Sequence, residues 1–374
     1  MWDPGATSLL VLGDGPLRGQ VTGLVRRNGG VEQIHRLLLV GPGMHVIEME
    51  PPVPARIEPR RHRDTEKSGN GRTDGERLTR TMGALGDPAA FARLAGLKVC
   101  LVGASRGNSL VAENLARLGI APTLIDPDVT EDHHLGEINL LTAADVGRPK
   151  AEALAGHLQE LLSEGAGSPL PIVASITDRD AIAAAIACDV LITWVDNDAA
   201  HLAAAILATM YHKVGIHIGT GIRFEPGQSA PALNSQLSTL SSRSMGADVR
   251  LIIPGDGCLL CRGNLTNYER AVEELCNPRA TANRPTDWRR QRAGSLRSLN
   301  AVAAGLGVQM LLDLVAERLQ GSTWAHLEFD QAGRLSVTYP QIGQDNGQPC
   351  ALCAKAGLGD DGLGIADSDF ASSM

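Results

Sequence analysis

Four of the seven cysteines fall in two Cys-x-x-Cys pairs, Cys258/Cys261 and Cys350/Cys353. Two thiolates two residues apart can supply one edge of a tetrahedral site, so the two pairs point to a structural zinc ion. An odd total in a chain this long does not suit a disulfide framework. Two unrelated reduced pairs, or a redox couple, would share the same spacing. Cys100 and Cys188 lie in or beside expected strands and read as small core residues. Cys276 is left over in a charged stretch, where loop placement without a role is the expectation.

A second set of residues suits a nucleotide. Gly103-Ala104-Ser105-Arg106-Gly107-Asn108 follows a short apolar strand and opens a helix. Glycine there lets backbone amides approach a phosphate at the helix N-terminus. Asp126 ends the next strand 23 residues after Gly103, the offset at which a carboxylate accepts ribose hydroxyls. Lys150 follows Pro149 at a helix start, placed to contact a triphosphate, with Pro149 expected in the first turn. Val195-Asp196-Asn197 ends another strand at the carboxyl edge, where Asp196 can hold the magnesium that accompanies ATP. A bare strand-to-helix turn, a solvated lysine and a helix cap would account for the same residues one by one.

These side chains need a scaffold, and the periodicity supplies one. Expected strands Lys98–Val102, Thr123–Ile125, Ile172–Ser175, Val190–Val195 and Gly215–Ile218 alternate with expected helices Ser109–Leu118, Lys150–Leu162, Asp178–Ala187 and Ala199–His212. Such alternation means an α/β fold: a doubly wound, Rossmann-like, mostly parallel sheet with helices on both faces. A polar loop (Gly227–Ser244), a strand (Val249–Ile253), a charged stretch (Asn267–Arg292), a long apolar helix (Leu299–Val315) and a hairpin (His326–Tyr339) complete the pattern.

The 374 residues suggest two domains or a little more. Residues 1–55 read as a small β-rich module. Residues 56–80 hold eight Lys/Arg and five Asp/Glu with almost no aliphatics, as a flexible charged linker would. Residues 81–355 form the nucleotide-binding domain with its zinc-clamped C-terminal region, and 356–374 a disordered tail. A net charge of −8 gives nucleic acid or an anionic membrane no reason to be the main partner. The N-terminus lacks a basic stretch before an apolar run, and the stretch Ala181–Val195, broken by Asp189, is shorter than the ~20 residues that span a bilayer. The expected compartment is the cytoplasm.

Taken in order, the motifs resemble those of the ThiF/MoeB/HesA enzymes and the adenylation domains of ubiquitin-activating enzymes. They are Arg77-Leu78-Thr79-Arg80, KVCLVGAS at 98–105, LIDPDV at 124–129, DVGRPKAEA at 145–153, VDN at 195–197 and the two Cys-x-x-Cys pairs, over roughly 76–355. The resemblance implies that a carboxylate, usually the diglycine end of a small ubiquitin-like or sulfur-carrier protein, attacks the α-phosphate of ATP. An acyl-adenylate and pyrophosphate result. It implies that Asp126 holds the ribose, with Asp128 beside it, Lys150 the phosphates and Asp196 Mg2+. Arg80 would reach the triphosphate of a neighbouring subunit, which implies a homodimer. Zn2+ would join the four cysteines across the 88 residues between the pairs. Cys276 would be the candidate acceptor of the activated carboxylate.

Two departures stand out. The family's loop usually reads GxGGLG, whereas Ser105, Arg106 and Asn108 stand here. Glu137 occupies the place of the usual phosphate-contacting arginine, and Arg106 is the cation that could replace it. This combination resembles a bacterial subgroup often joined to JAB-type metalloprotease domains, although residues 1–54 lack the His-x-His with downstream Ser and Asp that protease activity would need. Three further readings compete: a catalytically weak nucleotide- or partner-binding scaffold, an NAD-linked oxidoreductase on the same fold, and adenylation of another carboxylate, on a peptide or a modified tRNA.

Overall fold

The computed structural model describes residues 7–11, 21–27, 30–33, 36–41, 43–48, 78–163, 165–224, 243–263, 265, 268–277, 296–330, 332–340 and 350–359. The first five segments are strands: β1 (Thr7–Val11), β2 (Val21–Arg27), β3 (Gly30–Gln33), β4 (Arg36–Gly41) and β5 (Gly43–Glu48). Strands β1–β3 form an antiparallel sheet, and β4 pairs with β5 as a hairpin. Residues 56–77 of the expected linker, and 360–374 of the expected tail, lie outside the described residues. At the linker's end the chain is already helical, because α1 (Thr79–Leu85) begins there.

Helix α2 (Pro88–Ala95) starts where Asp87 accepts from the amides of Ala89 and Ala90, with Pro88 set in the first turn. The alternating region follows: β6 (Val99–Val102), α3 (Arg106–Arg117), β7 (Thr123–Ile125), α4 (Lys150–Gln159), β8 (Leu170–Ile172), α5 (Arg179–Ile186), β9 (Val190–Thr193), α6 (Asp198–Met210) and β10 (Val214–Phe224). Then come β11 (Arg243–Ile252), α7 (Leu259–Gly263), α8 (Tyr268–Cys276), α9 (Arg297–Val315), β12 (Thr323–Phe329) and β13 (Leu335–Thr338).

The main sheet has eight strands in the order β13-β12-β11-β10-β9-β6-β7-β8. Its β8-β7-β6-β9-β10 portion is parallel, and β11, β12 and β13 extend it antiparallel. Successive crossovers run outward from β6 in one direction and from β9 in the other. The topological switch point, and the ligand crevice expected there, lie between the carboxyl ends of β6 and β9. Leu101, Val190, Ile192, Ile216 and Val249 pack on one face against α3, α4 and α9. Cys100, Val102, Ile125 and Leu191 pack on the other against α5 and α6. Both free cysteines of the strand region are buried, as small core residues.

Helix α9 is long and apolar enough to cross a membrane by composition, yet Leu299, Ala303, Val308, Leu311 and Leu314 are buried against the sheet. Two strand boundaries differ from expectation for hydrogen-bonding reasons. Strand β8 ends at Ile172, because Ser175 turns the chain by donating its amide to the Asp178 carboxylate. Strand β10 runs on to Phe224, beyond the end of β9, because antiparallel β11 supplies partners there. The charged stretch after the first cysteine pair contains helix α8, with Ala271 buried.

Candidate functional site

The glycine loop between β6 and α3 is fixed by close packing at two glycines and by side-chain hydrogen bonds. Gly103 adopts φ +93, and a Cβ there would lie 2.6 Å from Val195 Cγ1. A Cβ on Gly107 would lie within 2.2 Å of the Trp194 ring. Only glycine satisfies both sites, the first through its backbone and the second through its size. The residues standing where further glycines were expected carry structural duties. Ser105 caps α3 by accepting from the Asn108 amide at 3.3 Å and donates its hydroxyl to Trp194 O at 2.6 Å. Buried Asn108 donates to Val102 O at 2.8 Å and Gly103 O at 2.9 Å. The loops after β6 and β9 are thereby stitched together across the switch point.

Asp126 closes the other side of the loop. Its Oδ2 accepts from the Ala104 amide at 2.7 Å and its Oδ1 from the Asp128 amide at 2.8 Å. Each oxygen retains a lone pair, so the carboxylate can still accept ribose hydroxyls. Burial pushes the Asp126 carboxyl above its usual range, opposed by the positive charge of Lys150.

The segment after β7 pairs with the one before α4 through the Val129–Pro149 bridge and a bond from Lys150 N to Asp128 O at 2.9 Å. Pro149 occupies the cap position and not the first turn, and Lys150 is the first helical residue. Its ammonium lies 2.7 Å from Asp128 Oδ2, the lysine side chain 9% exposed and the aspartate 64%. A second cation faces the same loop: Arg106 Nη1 is 3.2 Å from Glu137 Oε2. Asp145 anchors the approach to Lys150 by accepting from Thr142 N and Oγ1, Arg148 and His157 at 2.8–2.9 Å and 2.7 Å. Burial alone would raise the Asp145 carboxyl, but the bonds from His157 and Thr142 outweigh it and hold it at about 2. Asp145 ends a 3-10 turn and His157 lies two turns into α4, a non-periodic spacing with no local signal to reveal it.

Asp196 lies exposed on the β9–α6 loop, just before Asn197 caps α6 by accepting from Ala199 and Ala200. Val195, its neighbour, packs against Gly103, so the glycine loop and the Asp196 loop lie side by side. Contacts thus link the glycine loop to Asp126, Asp126 to Asp128 and Asp128 to Lys150, while Arg106 reaches Glu137 and Asp196 stands just past the end of β9. Arg80 stands apart, exposed on the first turn of α1. Cys276 is exposed at the last position of α8, a helix end where a loop was expected.

The cysteine pairs, distant in sequence, converge. Cys258 and Cys261 Sγ are 3.8 Å apart, Cys258 and Cys350 3.6 Å, and Cys261 and Cys353 3.6 Å, with all four within 4.8 Å of one another. Zinc–sulfur bonds of about 2.3 Å in a tetrahedron would set the sulfurs about 3.8 Å apart, so the four thiols can hold a metal ion such as zinc. Burial pushes the Cys258 thiol up to about 11, and a bound cation supplies the charge that thiolate formation there needs. The knot ties α7 and the segment 350–355 together, and Met210, at the end of α6, packs on its residues.

A model of the ThiF family matches residues 78–350. No curated protein matches the sequence. Among solved structures, Escherichia coli MccB bound to ATP is 17% identical with a TM-score of 0.52, over 74% of this chain and 74% of that one. The same enzyme with AMPCPP and MccA gives 18% and 0.53, over 76% and 75%. PaaA gives 14% and 0.51, over 75% and 79%.

Proposed function

The chain belongs to the ThiF family, and from that premise we propose that it adenylates a carboxy-terminal carboxylate with ATP. The observation that carries this reading is the meeting of loops at the switch point, where Asp126 holds the Ala104 amide, Lys150 pairs with Asp128 and Arg106 pairs with Glu137. A solved neighbour holding both AMPCPP and MccA supports a nucleotide and a peptide partner as ligands.

In this reading, the glycine loop and α3 offer amides to the phosphates while Asp126 takes the ribose hydroxyls. Lys150 and Arg106 leave Asp128 and Glu137 to offset charge developing on the phosphate oxygens. Arg106 supplies the cation absent at Glu137. Asp196 would hold Mg2+, and the resident ion would neutralise the leaving pyrophosphate. Zn2+ in the four-cysteine knot would be structural, clamping the C-terminal segment. The substrate would be a small ubiquitin-like or sulfur-carrier protein ending in diglycine, with Arg80 of a second copy completing the site and Cys276 receiving the acyl group.

Exchange of labelled pyrophosphate into ATP tests the reading with candidate diglycine-ended proteins. The expected result is exchange that depends on one such partner and falls at least about 100-fold in Lys150→Ala and Asp196→Ala. Nucleotide binding without exchange for any partner would leave the scaffold reading in its place.

A further inference from the structure

One residue row crosses the sheet just below the crevice. Register pairs Val102 with Thr193, Thr193 with His217, His217 with Arg250, and Arg250 with Trp324. Directly paired residues project from the same face, here the face covered by α6. One residue further along β6 the glycine loop begins, and three residues beyond Thr193 lies Asp196, so this end of the row adjoins the proposed nucleotide site.

Three consecutive members of this row carry buried polar atoms with no hydrogen-bond partner among the described residues: Thr193 Oγ1, His217 Nδ1 and Arg250 Nε. Buried polar groups in folded proteins are almost always satisfied, so three neighbouring orphans mark a place prepared for something else. Thr193 is 0% exposed and His217 4%. Arg250 is cradled, its guanidinium 4.4 Å over the Trp324 ring. Asp248 forms a loose ion pair with it, Oδ1 lying 3.7 Å from Nη2, too long for a hydrogen bond. Asp248 is engaged elsewhere: its Oδ1 accepts from Trp324 Nε1 at 2.7 Å and lies 2.9 Å from His326 Nδ1.

We propose that Thr193, His217 and Arg250, backed by Trp324, form the subsite that recognises the carboxylate end of the acyl substrate, with Arg250 as its anion-pairing residue. The inference rests on the adenylation reading for the identity of its ligand. A hydroxyl, a neutral imidazole and a desolvated guanidinium offer hydrogens in one line, which suits a carboxylate and the peptide carbonyl before it. The guanidinium would hold the carboxylate while it waits beside the α-phosphate, and release it as charge passes to the acyl-phosphate oxygen. Loss of the arginine would therefore act on carboxylate binding and leave the nucleotide's own contacts in place.

The test uses the full chain labelled with 15N-arginine, the Arg250 Nε–H signal being assigned by its loss in Arg250→Lys, or in Arg250→Gln should the lysine variant not fold. The probes are the dipeptide Gly-Gly and glycylglycinamide, which lacks the carboxylate. The expected result is a saturable shift of the Arg250 signal with Gly-Gly, and at least about a 10-fold weaker response to the amide. No shift with Gly-Gly, or equal shifts with both, would overturn the proposal and leave ordered water as the occupant of the row. AMPCPP titrated into the same sample keeps the two readings apart: failure to bind it defeats adenylation, whatever the dipeptide does.

Discussion

Arg106 Nη1 lies 3.2 Å from Glu137 Oε2, so the cation that the glycine loop carries is matched to a carboxylate on the loop after β7. With 27% of the arginine and 42% of the glutamate side chain exposed, the pair is weak enough for a triphosphate to displace. Arg106→Ala is expected to weaken AMPCPP binding by about 10-fold, the worth of one charge-assisted contact. Titration calorimetry reads this directly. Unchanged or tighter binding would mean that Arg106 merely crowds the loop.

Gly107 faces the Trp194 ring with no room for a methyl group. Gly107→Ala should lower stability by at least about 2 kcal/mol, since backbone or indole must shift. Trp194→Leu in the same chain should return part of that loss. Denaturant midpoints of the single and double variants would show whether the two effects couple.

The four-cysteine knot predicts close to one metal ion per chain. Elemental analysis finding less than about half a zinc would defeat it. Cys258→Ser is expected to abolish binding and to lower the melting temperature, because the buried corner of the tetrahedron is lost. Chelation of the unaltered chain should produce the same fall.

Asp145, held at about 2 by His157 and Thr142, gives a pH signature. Its folded-state value lies below its unfolded one, so its contribution is present at neutral pH and disappears as pH falls from about 4 toward 2. Asp145→Asn should flatten that part of a melting-temperature profile and slow nucleotide binding through a misplaced Lys150. A profile as steep as the parent's would remove Asp145 from the explanation.

His217, which burial together with His201 and Arg250 holds at about 3, has the opposite charge but the same sign of dependence. The unfolded chain takes a proton near 6.5 that the folded chain refuses, so stability should rise with pH between about 3 and 6.5. His217→Asn should lessen that rise, as thermal unfolding across the interval would show.

Much of this was legible in the sequence because it is local. Gly103 and Asp126 carry their meaning in a single strand-to-helix turn and a fixed offset, and Lys150 in a helix start. The helical and strand periods are likewise written within each segment, which is why the order of elements could be read before any pairing was known. The Cys-x-x-Cys spacing announces half of a tetrahedron wherever the other half lies. What tertiary structure decided is everything that depends on who sits opposite. Nothing local to Trp194 says that it fills the space above Gly107, nor to Asp145 that it grips His157. The antiparallel extension and the row from Thr193 to Trp324 exist only because strands separated by scores of residues align in one register. Pairings of that range are chosen by the summed burial of the whole sheet, a quantity no window of sequence contains.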